Sequence, residues 1–488
     1  MAGSIICASP PRASPGNGRA PVEGSEPPRE RGESMTTTLF QGGRVLTLDQ
    51  SDRQYHDGCV LVRDDRIAYV GPRADLPDTP VDRVVDATGK LVMPGLVNGH
   101  THLSMIFGRT LGPEKRLLDW LDQQLPMIGA FDGEAMYVAQ MLGCLENLKN
   151  GNTSLVENLA AAHPDDIAME DATFRALRDS GIRGTLARAF EGRNFLPDFM
   201  ESLDDQARRV TALAERWHGA EGDRLRLSFG PLLPWCMTEE MYRETRALAD
   251  RLGLCLHMHV AESPEFNRLI AKHLGRDIRQ VELLHETGCL GPDVQVVAVS
   301  DVSPREVELL AESDTRVLLD PPTRLFWGTG FPAIHPFLDA GLTCGLATNG
   351  PAANCGQDLF ESMKYACATA KTAKNDPQAL GRYRALRMAT SEGARAIGRD
   401  DQVGCLAEGL KADLITVDLE QAHLAPTLDV TAALVYSAKG TDVRDVMVDG
   451  RLLIENRKAL FVDESALMRQ AEEIARRCIR EAGVDVSL

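Results

Sequence analysis

Pro94-Gly95-Leu96-Val97-Asn98-Gly99-His100-Thr101-His102 divides this chain into two kinds of sequence. Before it, the apolar runs Val45-Leu46-Thr47-Leu48, Cys59-Val60-Leu61-Val62, Arg66-Ile67-Ala68-Tyr69-Val70 and Lys90-Leu91-Val92-Met93 are split by Asp64-Asp65, Gly71-Pro72 and Asp86-Ala87-Thr88-Gly89. Short runs between such turn signals read as strands of a small antiparallel sandwich. After it the pattern changes. Apolar runs at 155–156, 184–187, 225–229, 254–260, 294–299, 317–319 and 343–346 alternate with helical stretches such as 240–252 and 305–312. Strand–helix alternation over roughly 300 residues is the signature of a parallel (β/α)8 barrel of the TIM type. Strand-like runs then return at 413–418, 443–448 and 452–454 around the turn Asp449-Gly450, so the two β blocks are expected to form one composite sandwich.

The expected division is therefore a tail at 1–35, a composite β domain from 36–94 and 408–462, a barrel at 95–407 and a C-terminal helix at 463–488. The tail is rich in Pro, Gly, Ser, Arg and Glu, as in Pro27-Pro28-Arg29-Glu30-Arg31, and cannot bury enough apolar surface to fold. It lacks the apolar core of a secretory signal and reads as disordered, or as sequence upstream of a true start at Met35. The segment 464–482 has helical spacing with mixed charge and reads as an exposed packing helix.

The bulk chemistry narrows the partners. With 43% hydrophobic and 25% charged residues the chain is an ordinary globular protein, and a net charge of -18 argues against nucleic acid and anionic membrane surfaces. No run approaches the roughly 18 apolar residues that a membrane helix needs. Eleven cysteines stand singly with no C-x-x-C spacing, which reads as free thiols in a cytoplasmic, reducing compartment. The expected partner is a small-molecule substrate.

In a parallel barrel the chemistry sits where strands end. His100 and His102, two apart at the end of an apolar strand, point to one side of it and can share a metal ion. A second constellation, Leu256-His257-Met258-His259-Val260-Ala261-Glu262, closes another strand. His259 could complete a three-histidine site, and Glu262 could move protons between water and a leaving amine. His257 lies deeper on the same strand face and reads as a hydrogen-bonded residue of the barrel interior.

The order of these motifs, with Asn150-Gly151-Asn152-Thr153-Ser154, His259-Val260-Ala261-Glu262, the segment 393–397, Gly404 and Gly409-Leu410-Lys411-Ala412-Asp413-Leu414, resembles the amidohydrolase superfamily over about residues 37–460. More narrowly it resembles the group of triazine hydrolases, cytosine deaminases and guanine deaminases. The resemblance implies a distorted barrel plus the composite sandwich. It also implies one divalent metal, zinc or alternatively iron, with no organic cofactor. The implied reaction is attack of activated water on a ring or amidine carbon, releasing ammonia, an amine or chloride. Relatives in the group are commonly homo-oligomers, so a homo-oligomer is expected.

Three positions depart from the family pattern. Where a histidine is expected after the next strand, Val296-Val297-Ala298-Val299 places Ala298, or else Val299. Where the family has G-T-D-G after the last barrel strand, this chain has Ala347-Thr348-Asn349-Gly350. Asn349 can offer a metal its carbonyl oxygen, as a weak fourth ligand, but its amide is no general base near neutral pH. Thr323-Arg324 stands where the family has Ser-Asn, and Arg324 at a pocket mouth could grip a carboxylate or phosphate, or face solvent as most arginines do. Further pocket candidates are Arg109, Trp120 and Gln124 on the first loop and Glu157-Asn158 after the second strand; Trp120 could stack on a flat heterocycle or fill the core. His163 is a spare histidine on an active-face loop. Three readings follow. One is a metal-dependent hydrolase on His100, His102 and His259 with Glu262 as proton shuttle. The second is a lyase, isomerase or cyclase acting on a small anionic metabolite. The third is a non-catalytic binding or partner protein built on the same barrel.

Overall fold

Nine strands from the two ends of the chain pair into one sheet. The computed structural model describes residues 36–112, 114–159, 167–190, 201–231, 236–329, 332–484. The N-terminal strands are β1 (Thr37–Leu46), β2 (Gln54–Arg63), β3 (Arg66–Pro72), β4 (Arg83–Asp86) and β5 (Lys90–Pro94). The barrel strands are β6 (Leu96–Thr101), β7 (Asn152–Asn158), β8 (Arg183–Phe190), β9 (Leu225–Pro231), β10 (Cys255–His259), β11 (Val294–Val297), β12 (Arg316–Leu319) and β13 (Cys344–Leu346). The C-terminal strands are β14 (Leu414–Asp418), β15 (Val443–Val448), β16 (Arg451–Glu455) and β17 (Lys458–Ala459). The first sheet runs β17-β16-β15-β14-β5-β1-β2-β3, with β4 beside β1. Its two halves join where β14 pairs antiparallel with β5, Leu414 opposite Pro94 and Asp418 opposite Lys90. Most pairs are antiparallel; β1 is parallel to both β4 and β5.

The second sheet is the barrel, β6 to β13 in sequence order with parallel neighbours. Its ends meet: the Asn349 N–H, just past β13, donates to the His100 carbonyl on β6 at 3.0 Å. Below that point Asn98 of β6 donates to Asn147 and Thr348 at 3.0 and 2.8 Å, and receives the Thr348 N–H at 3.1 Å. Buried polar groups in a low-dielectric core must be paired, and here the pairing also stitches the first strand to the last. Runs of Val, Leu and Ala make the strands buried on both faces, as a helix-covered parallel sheet requires.

The Lys411-Ala412-Asp413-Leu414 motif has a structural purpose. Asp413 takes a two-pronged bond from Arg183, the first residue of β8, at 2.9 and 3.0 Å, and both side chains are about 1% exposed. Arg183 also reaches Asp449, so the end of β8 away from the histidines is clamped to the first sheet. The helix Glu464–Glu481 starts at the cap Asp463 and buries Leu467, Ala471, Ile474 and Cys478 on one stripe, as an amphipathic packing helix does. It lies on the helix Gly133–Lys149, with Lys149 paired to Glu464 at 2.5 Å. Among the described residues no helix is long and apolar enough to cross a membrane. The tail 1–35 and His163 lie outside the described residues.

Candidate active site

His100, the penultimate residue of β6, faces inward because the strand is irregular there. Its register with β7 shifts between Asn98 and Thr101, and Gly99 presses against the barrel interior, where a Cβ would stand 2.5 Å from Leu318. His102 follows directly after the strand, and His259 ends β10 on the same inward face as His257. The three expected ligand histidines therefore come together. The Nε2 atoms of His100 and His102 are 3.1 Å apart, those of His102 and His259 3.4 Å, and one ligand atom from each of the three lies within 4.8 Å of the others.

For His257, His100 and His102 the surrounding hydrogen bonds indicate which nitrogen carries the proton. Gln295 on β11 offers only its Oε1 to His257 Nδ1, at 2.8 Å, so that nitrogen donates. His257 Nε2 then has a lone pair and accepts from His100 Nδ1 at 2.8 Å. His100 is left with its Nε2 lone pair facing His102. His102 in turn donates from Nδ1 to the Asn158 carbonyl at 2.6 Å, which leaves its own Nε2 lone pair bare. All four imidazoles are buried. Burial, followed for His100 and His259 by neighbouring imidazoles and Arg324, holds both well below the ordinary histidine range. Burial brings His102 and His257 down to about 4. The rings are neutral at physiological pH, with bare lone pairs turned on one point.

Lone pairs 3.1–3.4 Å apart repel unless a cation lies between them. Nitrogens bound at about 2.0–2.1 Å to a tetrahedral zinc stand about 3.3 Å apart, so the spacing fits such an ion. A divalent metal suits this donor set of neutral imidazoles, two of which, His100 and His102, have their other nitrogen tied down by a hydrogen bond.

Beside the histidines opens a pocket lined by His102, Met105, Leu117, Trp120, Leu121, Leu125, His259, Glu262, Phe266, Trp327, Asn349 and Ala353. Its walls are aliphatic and aromatic. Trp120 and Trp327 meet edge to face with centroids 5.2 Å apart. Among the described lining residues Glu262 supplies the one carboxylate. Burial raises its pKa, and Arg324 opposes the shift by charge and hydrogen bond.

The other expected site residues fall in different places. Of Arg109, Trp120, Glu157, Asn158 and Arg324, Trp120 alone lines the pocket. Arg324 is not at the mouth: it is about 1% exposed, donating from Nη1 to Glu262 at 2.7 Å and from Nη2 to Asp320 at 3.1 Å. Both prongs are engaged within the protein, which removes the support for a reading in which this arginine grips an anionic metabolite. Arg109 pairs with Glu146 instead of reaching the pocket. Glu157 points to the barrel exterior, where it accepts the N–H groups of Leu103 and Ser104 at 2.7 and 3.4 Å and the Gln140 amide at 2.8 Å. Asn158 serves through its carbonyl on His102, while its side chain donates to the carbonyls of Ala187 and Gly230. Gln124 is buried against the carbonyls of Gly108 and Leu111.

At the two departures, Ala298 is the first residue past β11, held at φ +63° inside an apolar cluster with Val297 and Leu318, and it offers no ligand. Asn349 lines the pocket, but its Oδ1 accepts the Gly350 N–H at 2.7 Å and its Nδ2 donates to Asp320 at 2.8 Å. The expected fourth ligand thus has its carbonyl already engaged. Asp320 and Trp327 were missed from sequence, although Asp320 directly follows a barrel strand, the position where site residues are to be sought. Gln295 was missed too, since nothing local marks it as the partner of His257.

Comparison with known proteins agrees with this geometry. A family model described as the amidohydrolase family matches residues 91–453. The 5'-deoxyadenosine deaminase of Methanosarcina acetivorans is 32% identical over 449 residues, covering 92% of this chain and 100% of that protein. The 5-methylthioadenosine/S-adenosylhomocysteine deaminase of Pelotomaculum thermopropionicum is 32% identical over 448 residues, covering 91% and 99%. Among solved structures, an adenosine deaminase from Xanthomonas campestris with bound zinc superposes with a TM-score of 0.85 at 26% identity, covering 91% and 99%. A mutant atrazine chlorohydrolase from Arthrobacter aurescens TC1, complexed with zinc and atraton, gives 0.84 at 26% identity, covering 90% and 100%.

Proposed function

Because the chain belongs to the amidohydrolase family and is a deaminase-like hydrolase of C–N bonds other than peptide bonds, we propose that it removes the exocyclic amine of an adenosine-type heterocycle, with zinc as its metal. The observation that carries this reading is the convergence of three histidine Nε2 atoms beside a single pocket carboxylate. His100, His102 and His259 would hold the ion, which supplies a Lewis acid and lowers the pKa of water. The remaining work falls to the chain's own side chains. Arg324 fixes Oε1 of Glu262, leaving Oε2 to accept a proton from water and return it to the departing amine. Water enters and ammonia leaves. Trp120, Trp327, Met105 and Phe266 offer apolar surfaces between which a flat ring can lie while bulk water is excluded.

The reading also takes the enzyme to be a cytoplasmic homo-oligomer; the described cysteines are all free, as a reducing compartment keeps them. Elemental analysis of protein purified without chelator, paired with an ammonia-release assay on a panel of 6-aminopurine nucleosides, tests the proposal. The expected result is near one zinc per chain and release of ammonia from at least one nucleoside. Less than about 0.1 metal per chain would sink it, since three histidines of this kind retain zinc through purification.

A further inference from the structure

Two features that look like separate losses are one arrangement. Asp320, directly after β12, is 2% exposed and places Oδ2 between Arg324 Nη2 at 3.1 Å and Asn349 Nδ2 at 2.8 Å. Arg324 is thereby the one cation between two buried carboxylates, Asp320 and Glu262. A carboxylate at 349 would add a third anion within hydrogen-bond distance of Asp320 and bring no cation with it. Buried like charges at that spacing repel strongly. The amide of Asn349 is also fixed in direction. Turning it over would set its oxygen against a carboxylate and its NH2 against the Gly350 N–H, so the nitrogen must face Asp320. Among the described residues no protein acceptor takes the second N–H of that nitrogen, and Asn349 lines the pocket.

We propose that Asp320 is a positioning residue that makes Asn349 a hydrogen-bond donor to an acceptor nitrogen of the bound heterocycle, so that position 349 reads the substrate ring. In this arrangement the carboxylate absent from the end of β13 is kept at the end of β12, and Arg324 balances it. The inference rests on the heterocycle reading above for its ligand, but its charge coupling is read without substrate or metal.

Two variants test it: Asn349→Asp, and the double exchange that adds Asp320→Asn. In metal-stripped protein, Asn349→Asp should lower the melting temperature and the double exchange should restore most of the loss, because it returns the site to its original charge. Binding is read by titrating purine riboside, which has ring acceptors and no amine to lose. Asn349→Asp should weaken binding by about tenfold or more, since an acceptor would face an acceptor. The double exchange should leave that weakening in place, because 349 still lacks a donor. Recovery of stability without recovery of affinity separates a donor role from a merely structural one. An Asn349→Asp protein that melts like the parent, or a double exchange that regains affinity, overturns the inference. A parent protein that releases ammonia from a nucleoside while Asn349→Asp binds purine riboside equally well overturns it too, and leaves the deaminase reading standing. Absence of both ammonia release and purine binding in the parent overturns both.

Discussion

The two sides of the barrel mouth are held together by different physics. On the side of β6 and β10, neutral rings are oriented by a relay of hydrogen bonds, Gln295 to His257 to His100, with the Asn158 carbonyl on His102. On the side of β12 and β13, orientation comes from full charges: Glu262, Arg324 and Asp320 in one buried line that ends on the Asn349 amide. The first side presents lone pairs and calls for a cation. The second carries its own cation and has none to spare. The contrast explains why two of the three departures, Arg324 and Asn349, go together, while Ala298 sits outside the ion network in the apolar cluster past β11. A neutral relay can be checked one bond at a time, whereas a buried ion network must change as a set or pay the cost of an unpaired charge.

The sharpest way to break the comparison is to remove the central cation. Arg324→Met keeps much of the volume and leaves Glu262 and Asp320 buried without a counter-charge. Breaking a buried pair this way costs about 3–5 kcal/mol. Urea denaturation at pH 7.5 should show that loss, with zinc content nearly unchanged because no histidine is touched. Loss of zinc together with stability would mean that the two sides act as one unit. A smaller effect is expected on the other side. Gln295→Leu removes the acceptor that starts the relay, so His257 and then His100 lose their fixed tautomer. His257 is the direct partner of the ligand His100, a position worth about 10–100-fold in metal affinity, and Gln295 acts through it, so a loss near the lower end, about tenfold, is expected. Competition with a chelator of known affinity should show that weakening, with a much smaller change in stability than Arg324→Met. Unaltered affinity would remove the relay from the account of the metal site.

The sequence alone shows the first side far better than the second, and the reason is physical. His100, His102 and His259 each sit at a strand end, and strand periodicity is local information. The barrel strands, the helix Glu464–Glu481 and the joining of the terminal β blocks were legible for the same reason. Arg324 was not. Whether an arginine snorkels or turns inward depends on carboxylates placed by other strands, and Glu262 is 62 residues away along the chain. Glu157 misled for a related reason. Every residue of β7 is buried, so no alternation of polar and apolar residues reveals its inward face. Val156 packs into the barrel interior with Leu318, and the pleat therefore sends Glu157 the other way.

That outward placement gives the finest test of what supports the histidine side. Glu157 grips the N–H groups of Leu103 and Ser104, the two residues after the ligand His102, and burial pushes its pKa up to about 7 against those bonds. A carboxyl whose folded pKa lies above its ordinary value of 4.5 contributes stability that is fully present below about 4.5 and lost as pH rises through about 7. The histidines run in the opposite sense. His102 and His257, lowered to about 4, bind protons more readily when unfolded, so their contribution falls as pH drops below about 6.5. A simple pH scan of the parent mixes the two. Comparing it with Glu157→Gln isolates the carboxyl, because the histidine part is common to both. At pH 5.5 the glutamine should cost about 1 kcal/mol, as its NH2 meets donors that the carboxyl oxygens accept. By pH 8.5 the parent has lost the advantage of its neutral carboxyl, so the gap between their melting temperatures should narrow or reverse. A gap that stays constant from pH 5.5 to 8.5 would show that Glu157 keeps one charge state throughout, and that the turn beside His102 is held by a permanent charge like the opposite side of the mouth.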